Sequence, residues 1–257
     1  MPSTPLPTAR TSAVDDDNRR AFAPLPPFRS CLSCAVLCTL LFGLLLTLVV
    51  ARWGPLMSLD TALAGALHRT AVAAPGWTRL NRVFSDWVWD PWTMRAVLAV
   101  VVCLLVRRGE RRLALWVAAT ALTGTALQQA VKALVGRDRP VWPDPVAAAH
   151  YAAFPSGHAL SALVTGALVL WLLRLAGARP LWRRTARVVV GVSVVGVSFT
   201  RLYLGVHWLS DVVGGWLLGG ALVAGSAAVY GAYTSRTEVP GAYTSRTEVP
   251  GAAPRAE

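Results

Sequence analysis

The chain has 257 residues, is 54% hydrophobic, carries only 15% charged residues and has a positive mean hydropathy. Soluble domains carry about a quarter charged residues, and here the apolar residues fall in long blocks, so the composition excludes an ordinary soluble domain and indicates one integral membrane bundle. The net charge of +12 sits mostly in short runs between apolar blocks, as in Arg107-Arg108-Gly109-Glu110-Arg111-Arg112; such runs read as cytoplasmic loops, and no nucleic-acid partner is expected.

Residues 1–30 are rich in Pro, Ser and charge, with Asp15-Asp16-Asp17 beside Arg19-Arg20. A segment of this kind cannot bury a core, and it reads as a disordered cytoplasmic tail. The apolar run from Cys31 to Ala51 is long enough to cross a bilayer and is expected to be an uncleaved first span. Cys31, Cys34 and Cys38 recur on one face of it. No second pair or nearby His completes a metal or redox site, so they read as small buried thiols.

From Arg52 to Asp90, Leu59, Leu63 and Leu67 recur every four residues, with Asp60 and His68 elsewhere around the wheel. This pattern suits a helix lying in the membrane interface or a small extramembrane helix packed on the bundle. Trp77, Trp87, Trp89 and Trp92 then crowd toward the next span as an aromatic belt. Asp90-Pro91 is a helix start, with a capping acid before a first-turn proline. A short second span follows over 91–106, with Arg95 in its first turn able to snorkel.

Further spans are expected over 113–135, 157–175, 186–200 and 208–230. Pro140, Pro143, Pro145 and Pro155 stiffen the long loop 136–156. After residue 230 the decapeptide Gly-Ala-Tyr-Thr-Ser-Arg-Thr-Glu-Val-Pro occurs twice, and 231–257 reads as a second disordered tail. The expected fold is therefore all-α: a polytopic bundle of six transmembrane helices over 31–230, with an interfacial helix after the first span. The tails and the loops at 107–112 and 174–187 hold 16 of the 25 basic residues. The positive-inside rule then places both termini in the cytoplasm of a multi-pass cell-membrane protein.

Three stretches stand out against the apolar background. They are Lys132 with Arg139-Pro140, Pro155-Ser156-Gly157-His158, and Arg201 with His207 and Asp211. Lys132 is the one lysine among 25 basic residues. Lys132, Arg139 and Arg201 lie at or near helix ends, where they can neutralise a phosphate dianion, and arginine adds a fork that matches phosphate oxygens. Ser156-Gly157-His158 opens a helix whose free N–H groups and dipole face an anion. His207 and Asp211, four apart, share a face, so Asp211 can hold one ring nitrogen and leave the other free to attack. In the six-span topology all of these elements reach the extracytoplasmic side.

The spacings Lys-x6-Arg-Pro, Pro-Ser-Gly-His and Arg-x5-His-x3-Asp resemble the three signature motifs of the type 2 phosphatidic acid phosphatase superfamily, which is related to vanadium haloperoxidases. One departure is Thr200 before Arg201, where the family usually has Ser; a hydroxyl is kept. The resemblance implies a membrane phosphatase with His207 as the nucleophile that forms a phosphohistidine and Asp211 orienting it. It implies His158 as the acid for the leaving oxygen and then the base for water. Lys132, Arg139, Ser156, Gly157 and Arg201 would hold the phosphoryl oxygens. No metal or cofactor is expected, and the partners are a lipid phosphate substrate and membrane lipids.

His68 and His150 read as polar residues near water, and Arg137 and Asp138 as loop residues within the first motif. Alternatives of other classes are a lipid phosphotransferase using the same site and a non-catalytic membrane transporter. The substrate stays open between a lipid monophosphate and a polyprenyl diphosphate, and the oligomeric state is undetermined.

Overall fold

The computed structural model describes residues 28–237, which form eight α-helices and one π-helical turn. The helices are α1 (Phe28–Val50), α2 (Gly54–Ala73), α3 (Pro75–Val83), α4 (Pro91–Arg107), α5 (Arg111–Val135), α6 (Gly157–Leu175), α7 (Pro180–Tyr203) and α8 (Leu209–Thr237), with the π turn at Phe84–Val88. Most of the two expected tails lies outside the described residues. Where they are described, they are helical: α1 begins at Phe28, and α8 continues through Thr237, past the expected boundary at residue 230. Gly231–Thr237 extends the apolar helix before it without a proline to stop it, which overrides the reading of that part as disordered.

Five helical segments among the described residues are long and apolar enough to cross a membrane: Phe28–Val50, Pro75–Arg107, Gly157–Leu175, Pro180–Tyr203 and Leu209–Ser235. The second joins α3, the π turn and α4, because α4 alone has 17 residues. α5 was expected as the third span and has 25 residues, yet it does not belong to this set. Its Thr125, Gln128, Gln129 and Lys132 line a polar cavity, so its composition serves the interior as well as the bilayer.

α6 is the central helix, packed on α4, α5, α7 and α8. Its Leu160, Val164, Leu168, Trp171 and Leu175 form the main core with Leu98, Leu113, Val117 and Val223. Small residues let the helices approach. A Cβ on Gly166 would stand 2.4 Å from Val190, and one on Gly215 would stand 2.7 Å from the Ser156 carbonyl oxygen. Close contact at glycine is how helices pack where lipid removes the hydrophobic drive.

α1 lies along α8, with Cys38 against Gly220. Cys31 and Cys38 are half-buried, but Cys34 is exposed on the outer side of α1 and is not a buried thiol. Trp77, Trp87 and Trp92 are exposed as a belt requires, whereas Trp89 packs on Gly196 of α7, where a Cβ would stand 2.3 Å from its ring.

α2 packs against α7 and α8, which fits the packed-helix alternative better than an isolated interfacial helix. Leu63 and Leu67 are partly buried while Leu59 is 52% exposed. The face that points inward carries Asp60, Ala64, His68 and Ala71. Asp60 and His68 were expected around the wheel from the apolar stripe, with His68 near water; both are buried because each has a partner in the loops above the bundle.

Candidate active site

The loop 136–156 and the α7–α8 connection carry the site, and their backbone is tied down at several points. Gly136 ends α5 at a φ of 58°, in the left-handed region that favours glycine. The Ala153 N–H donates to the Arg137 carbonyl at 2.8 Å, and the Ser156 N–H to the Asp211 carbonyl at 2.9 Å. Trp142 donates to the Gly205 carbonyl at 2.9 Å, and its ring stacks on His68 with centroids 4.1 Å apart. His68 in turn lies 3.3 Å from Asp144. Helix α2, the proline-rich loop and the turn before His207 are thus locked together.

A cavity of about 380 Å³ opens between the ends of α4, α5, α6 and α7. Six of the expected site residues line it: Lys132, Arg139, Gly157, His158, Arg201 and His207. Residues up to 75 positions apart in sequence therefore converge at one end of the bundle, Lys132 near the end of α5, His158 at the start of α6, Arg201 in the last turn of α7 and His207 just before α8.

His207 is 1% exposed. Its Nδ1 lies 3.2 Å from Asp211 Oδ2, and its Nε2 lies 3.1 Å from an Arg139 guanidinium nitrogen. Burial pushes the His207 imidazole well below its ordinary range, and the positive charges of Arg139, Arg201, Lys132 and Arg137 push it further the same way. The ring is therefore neutral, with a proton on Nδ1 facing the carboxylate and a lone pair on Nε2. The Asp211 Oδ2 also accepts the Trp208 N–H at 2.9 Å, which fixes the carboxylate at the start of α8.

Arg139 donates to the Val206 carbonyl at 2.6 Å and to the Tyr151 carbonyl at 2.8 Å. Burial lowers its guanidinium from the usual arginine range and Asp211 opposes that shift, so it stays charged. Lys132 Nζ donates to the Ala152 carbonyl at 2.6 Å. Arg201 donates to the Ser85 hydroxyl at 2.8 Å and lies 3.7 Å from Asp86, while its Nε is buried with no hydrogen-bond partner among the described residues.

One residue expected to hold the phosphoryl oxygens is placed otherwise. Ser156 is fully buried and does not line the cavity; its hydroxyl faces the Ala159 N–H at 3.5 Å as the cap of α6. Gly157 does line it, and a Cβ there would stand 3.2 Å from the Gln128 amide nitrogen, so its missing side chain also makes room for Gln128.

Four residues with a place in or behind the site were not singled out from sequence. Arg137 bridges Asp211 and Asp60, Ser85 receives Arg201, and Asp86 and Asp90 line the cavity beside Arg201 and His158. Only Arg137 carried a signal, as a charged residue inside the first motif. His150 lines the cavity as an exposed loop residue. Among the described residues no group of three or more His, Cys, Asp or Glu side chains is arranged to hold a metal ion.

Comparison with known proteins places this geometry. The PAP2 superfamily model matches residues 113–235, which contain all three motifs. The chain is 44% identical over 66 residues to an undecaprenyl-diphosphatase of Sulfolobus acidocaldarius, covering 26% of this chain and 28% of that one. It is 32% identical over 98 residues to phosphatidylglycerophosphatase B of Bacillus subtilis, covering 38% and 48%. It is 29% identical over 181 residues to a lipid A 4'-phosphatase of Bacteroides thetaiotaomicron, covering 64% and 74%. The chain thus spans less than half the length of the first two relatives.

The fold is similar to the crystal structure of a transmembrane PAP2 type phosphatidylglycerolphosphate phosphatase from Bacillus subtilis. The TM-score is 0.60 at 21% identity, over 79% of this chain and 96% of that one. The PAP2 superfamily model thus covers the part of the chain that holds the three motifs, and the multi-helix fold is shared with a solved PAP2 type phosphatase.

Proposed function

We propose that the chain is a membrane phosphatase that removes the phosphoryl group from a lipid phosphate or polyprenyl diphosphate through a phosphohistidine. One observation carries this reading: His207, held by Asp211 at Nδ1 and beside Arg139 at Nε2, lines one cavity with Lys132, Arg139 and Arg201. A nucleophile braced by a third group, with cations where charge gathers, is the arrangement that phosphoryl transfer requires.

In the first step His207 Nε2 bonds to phosphorus as the bond from phosphorus to the leaving oxygen breaks. His158 gives its proton to that oxygen. In the second step a water oxygen bonds to phosphorus, the phosphorus–nitrogen bond breaks, and the neutral His158 takes a proton from the water. Lys132, Arg139 and Arg201 meet the charge on the non-bridging oxygens throughout, without a step that calls for a metal. Gly157 and the α6 N-terminus add N–H donors.

With α5 crossing as a sixth span, the distribution of basic residues puts both termini in the cytoplasm and the cavity on the extracytoplasmic side. A lipid reaching the cavity from that leaflet keeps its chains in the bilayer while its phosphate enters the cavity.

Purified protein assayed against phosphatidic acid, phosphatidylglycerol phosphate and undecaprenyl diphosphate tests the reading. Release of inorganic phosphate from at least one of them, abolished by His207→Ala, is the expected result. Turnover that survives His207→Ala, or none with any of the three, overturns it.

A further inference from the structure

A cavity built to hold a phosphate has little use for carboxylates, yet Asp86 and Asp90 both line it. Asp86 lies 3.7 Å from Arg201. Asp90 has two tasks for its two oxygens. Its Oδ1 accepts the Trp92 N–H at 2.7 Å and caps α4, while its Oδ2 lies 3.8 Å from His158 Nε2. Capping needs only the first oxygen, and the cap fixes where the second one points.

His158 faces charge from every wall. Lys132 on α5, Arg139 in the loop and Arg201 on α7 line the same cavity as cations, and His207 lines it from the α7–α8 connection. Arg95 of α4 lines the same cavity. Asp90 and Asp86, both just ahead of α4, supply the opposing charge, and Asp90 is the one within ion-pair distance of the ring. A general acid has to carry its proton before it can give it away.

We propose that Asp90 is a positioning residue for His158, holding the protonated ring in place as the acid that serves the leaving oxygen. This rests on the phosphatase reading above. The carboxylate keeps its own charge throughout. As the bond to phosphorus breaks, the His158 proton moves to the leaving oxygen and the ring becomes neutral, and in the second step the ring recovers a proton from water and its pairing with Asp90. Since the pairing matters only where a proton must be delivered, Asp90 separates substrates by leaving group.

Asp90→Asn tests this, because Asn caps a helix as well as Asp does and removes only the charge. Against the panel lipid that wild type turns over fastest, kcat/KM falls about 10-fold or more, part of the roughly 10²–10⁴-fold that general acid catalysis supplies. On p-nitrophenyl phosphate, whose leaving group needs little protonation, the fall is several-fold smaller. In a His158→Ala background, Asp90→Asn costs nothing further, because the group it acts through is gone. Asp90→Ala, which loses the cap as well, lowers the melting temperature in detergent more than Asp90→Asn does. An equal loss on both esters, no loss on either, or a further loss on top of His158→Ala overturns the proposal. Wild-type turnover abolished by His207→Ala, measured in the same preparations, shows that the phosphatase reading stands whichever way Asp90 falls; absence of wild-type turnover overturns both.

Discussion

Arg137 donates to Asp211 at 2.7 Å with one guanidinium nitrogen and to Asp60 of α2 at 2.8 Å with the other. Asp60 also accepts the Ser210 N–H at 3.0 Å and the Ser210 hydroxyl. Arg137 is therefore the middle of a buried chain that runs from Asp211 of α8, the carboxylate behind His207, to Asp60 of α2. Arg137 does not line the cavity; it stands behind His207.

Removing Arg137 leaves two buried carboxylates unpaired, at 1% and 0% exposure. Breaking a buried pair from one side costs about 3–5 kcal/mol. Arg137→Ala is expected to lower the melting temperature in detergent and to reduce kcat, since Asp211 loses its brace. Arg137→Ala/Asp60→Asn removes one of the orphaned charges and recovers part of the stability. Thermal unfolding of the three proteins checks this, and a double variant no more stable than the single one argues against the chain as drawn.

The two histidines separate by leaving group. His207→Ala is expected to abolish turnover of every ester, because the proposed covalent bond cannot form. His158→Ala loses roughly 10²–10⁴-fold on a lipid phosphate and much less on p-nitrophenyl phosphate. Single-turnover release of nitrophenol isolates the first step, and equal damage to both esters there contradicts the assigned roles.

The buried His207 ties stability to pH. Its ring is pushed down in the folded state, so the unfolded chain binds the proton more readily. The folded state keeps this contribution above the ordinary imidazole range near about 6.5 and loses it as pH falls below that value. Melting temperatures measured from pH 7.5 to 5.5 are expected to fall, and the slope to be shallower in His207→Gln. A slope unchanged by the substitution assigns it to other groups.

Activity is expected to survive chelation, because Lys132, Arg139 and Arg201 already line the cavity proposed for the phosphoryl group. Vanadate, which takes the five-coordinate geometry of the transition state, is expected to inhibit. Assays in EDTA with and without added magnesium, and a vanadate titration to millimolar concentration, decide both points. Loss in EDTA restored by magnesium goes against metal independence.

Gly205 stands two residues before His207 at a φ of 66°. A Cβ there would be 2.5 Å from the Trp142 ring nitrogen and 3.2 Å from His68 Nδ1. Gly205→Ala combines left-handed strain, costing about 1–3 kcal/mol, with displacement of the turn that carries His207. A loss of kcat together with a lower melting temperature is the expected result; no change in either indicates that the clamp can give way.

The motif residues were legible in the sequence for a physical reason. Chemistry demands particular side chains at helix ends, and in a chain this apolar Lys132, His158, Arg201, His207 and Asp211 have little polar background to hide in. Helix positions followed from apolar run length, since a bilayer admits few other structures. The tertiary structure alone decided which polar residues outside the motifs join the site. Asp60 and His68 look like the outer face of an amphipathic helix until Arg137 and Trp142 are seen to cover them. Asp90 reads as a cap, because its first oxygen is local, and only the packing of α4 against α6 brings the second to His158. Ser156 shows the converse: the motif marks it for a ligand, and burial gives it to the helix cap. Local pattern reports what a residue can do within a few positions of itself, whereas partners 76 or 150 residues away are chosen by the fold.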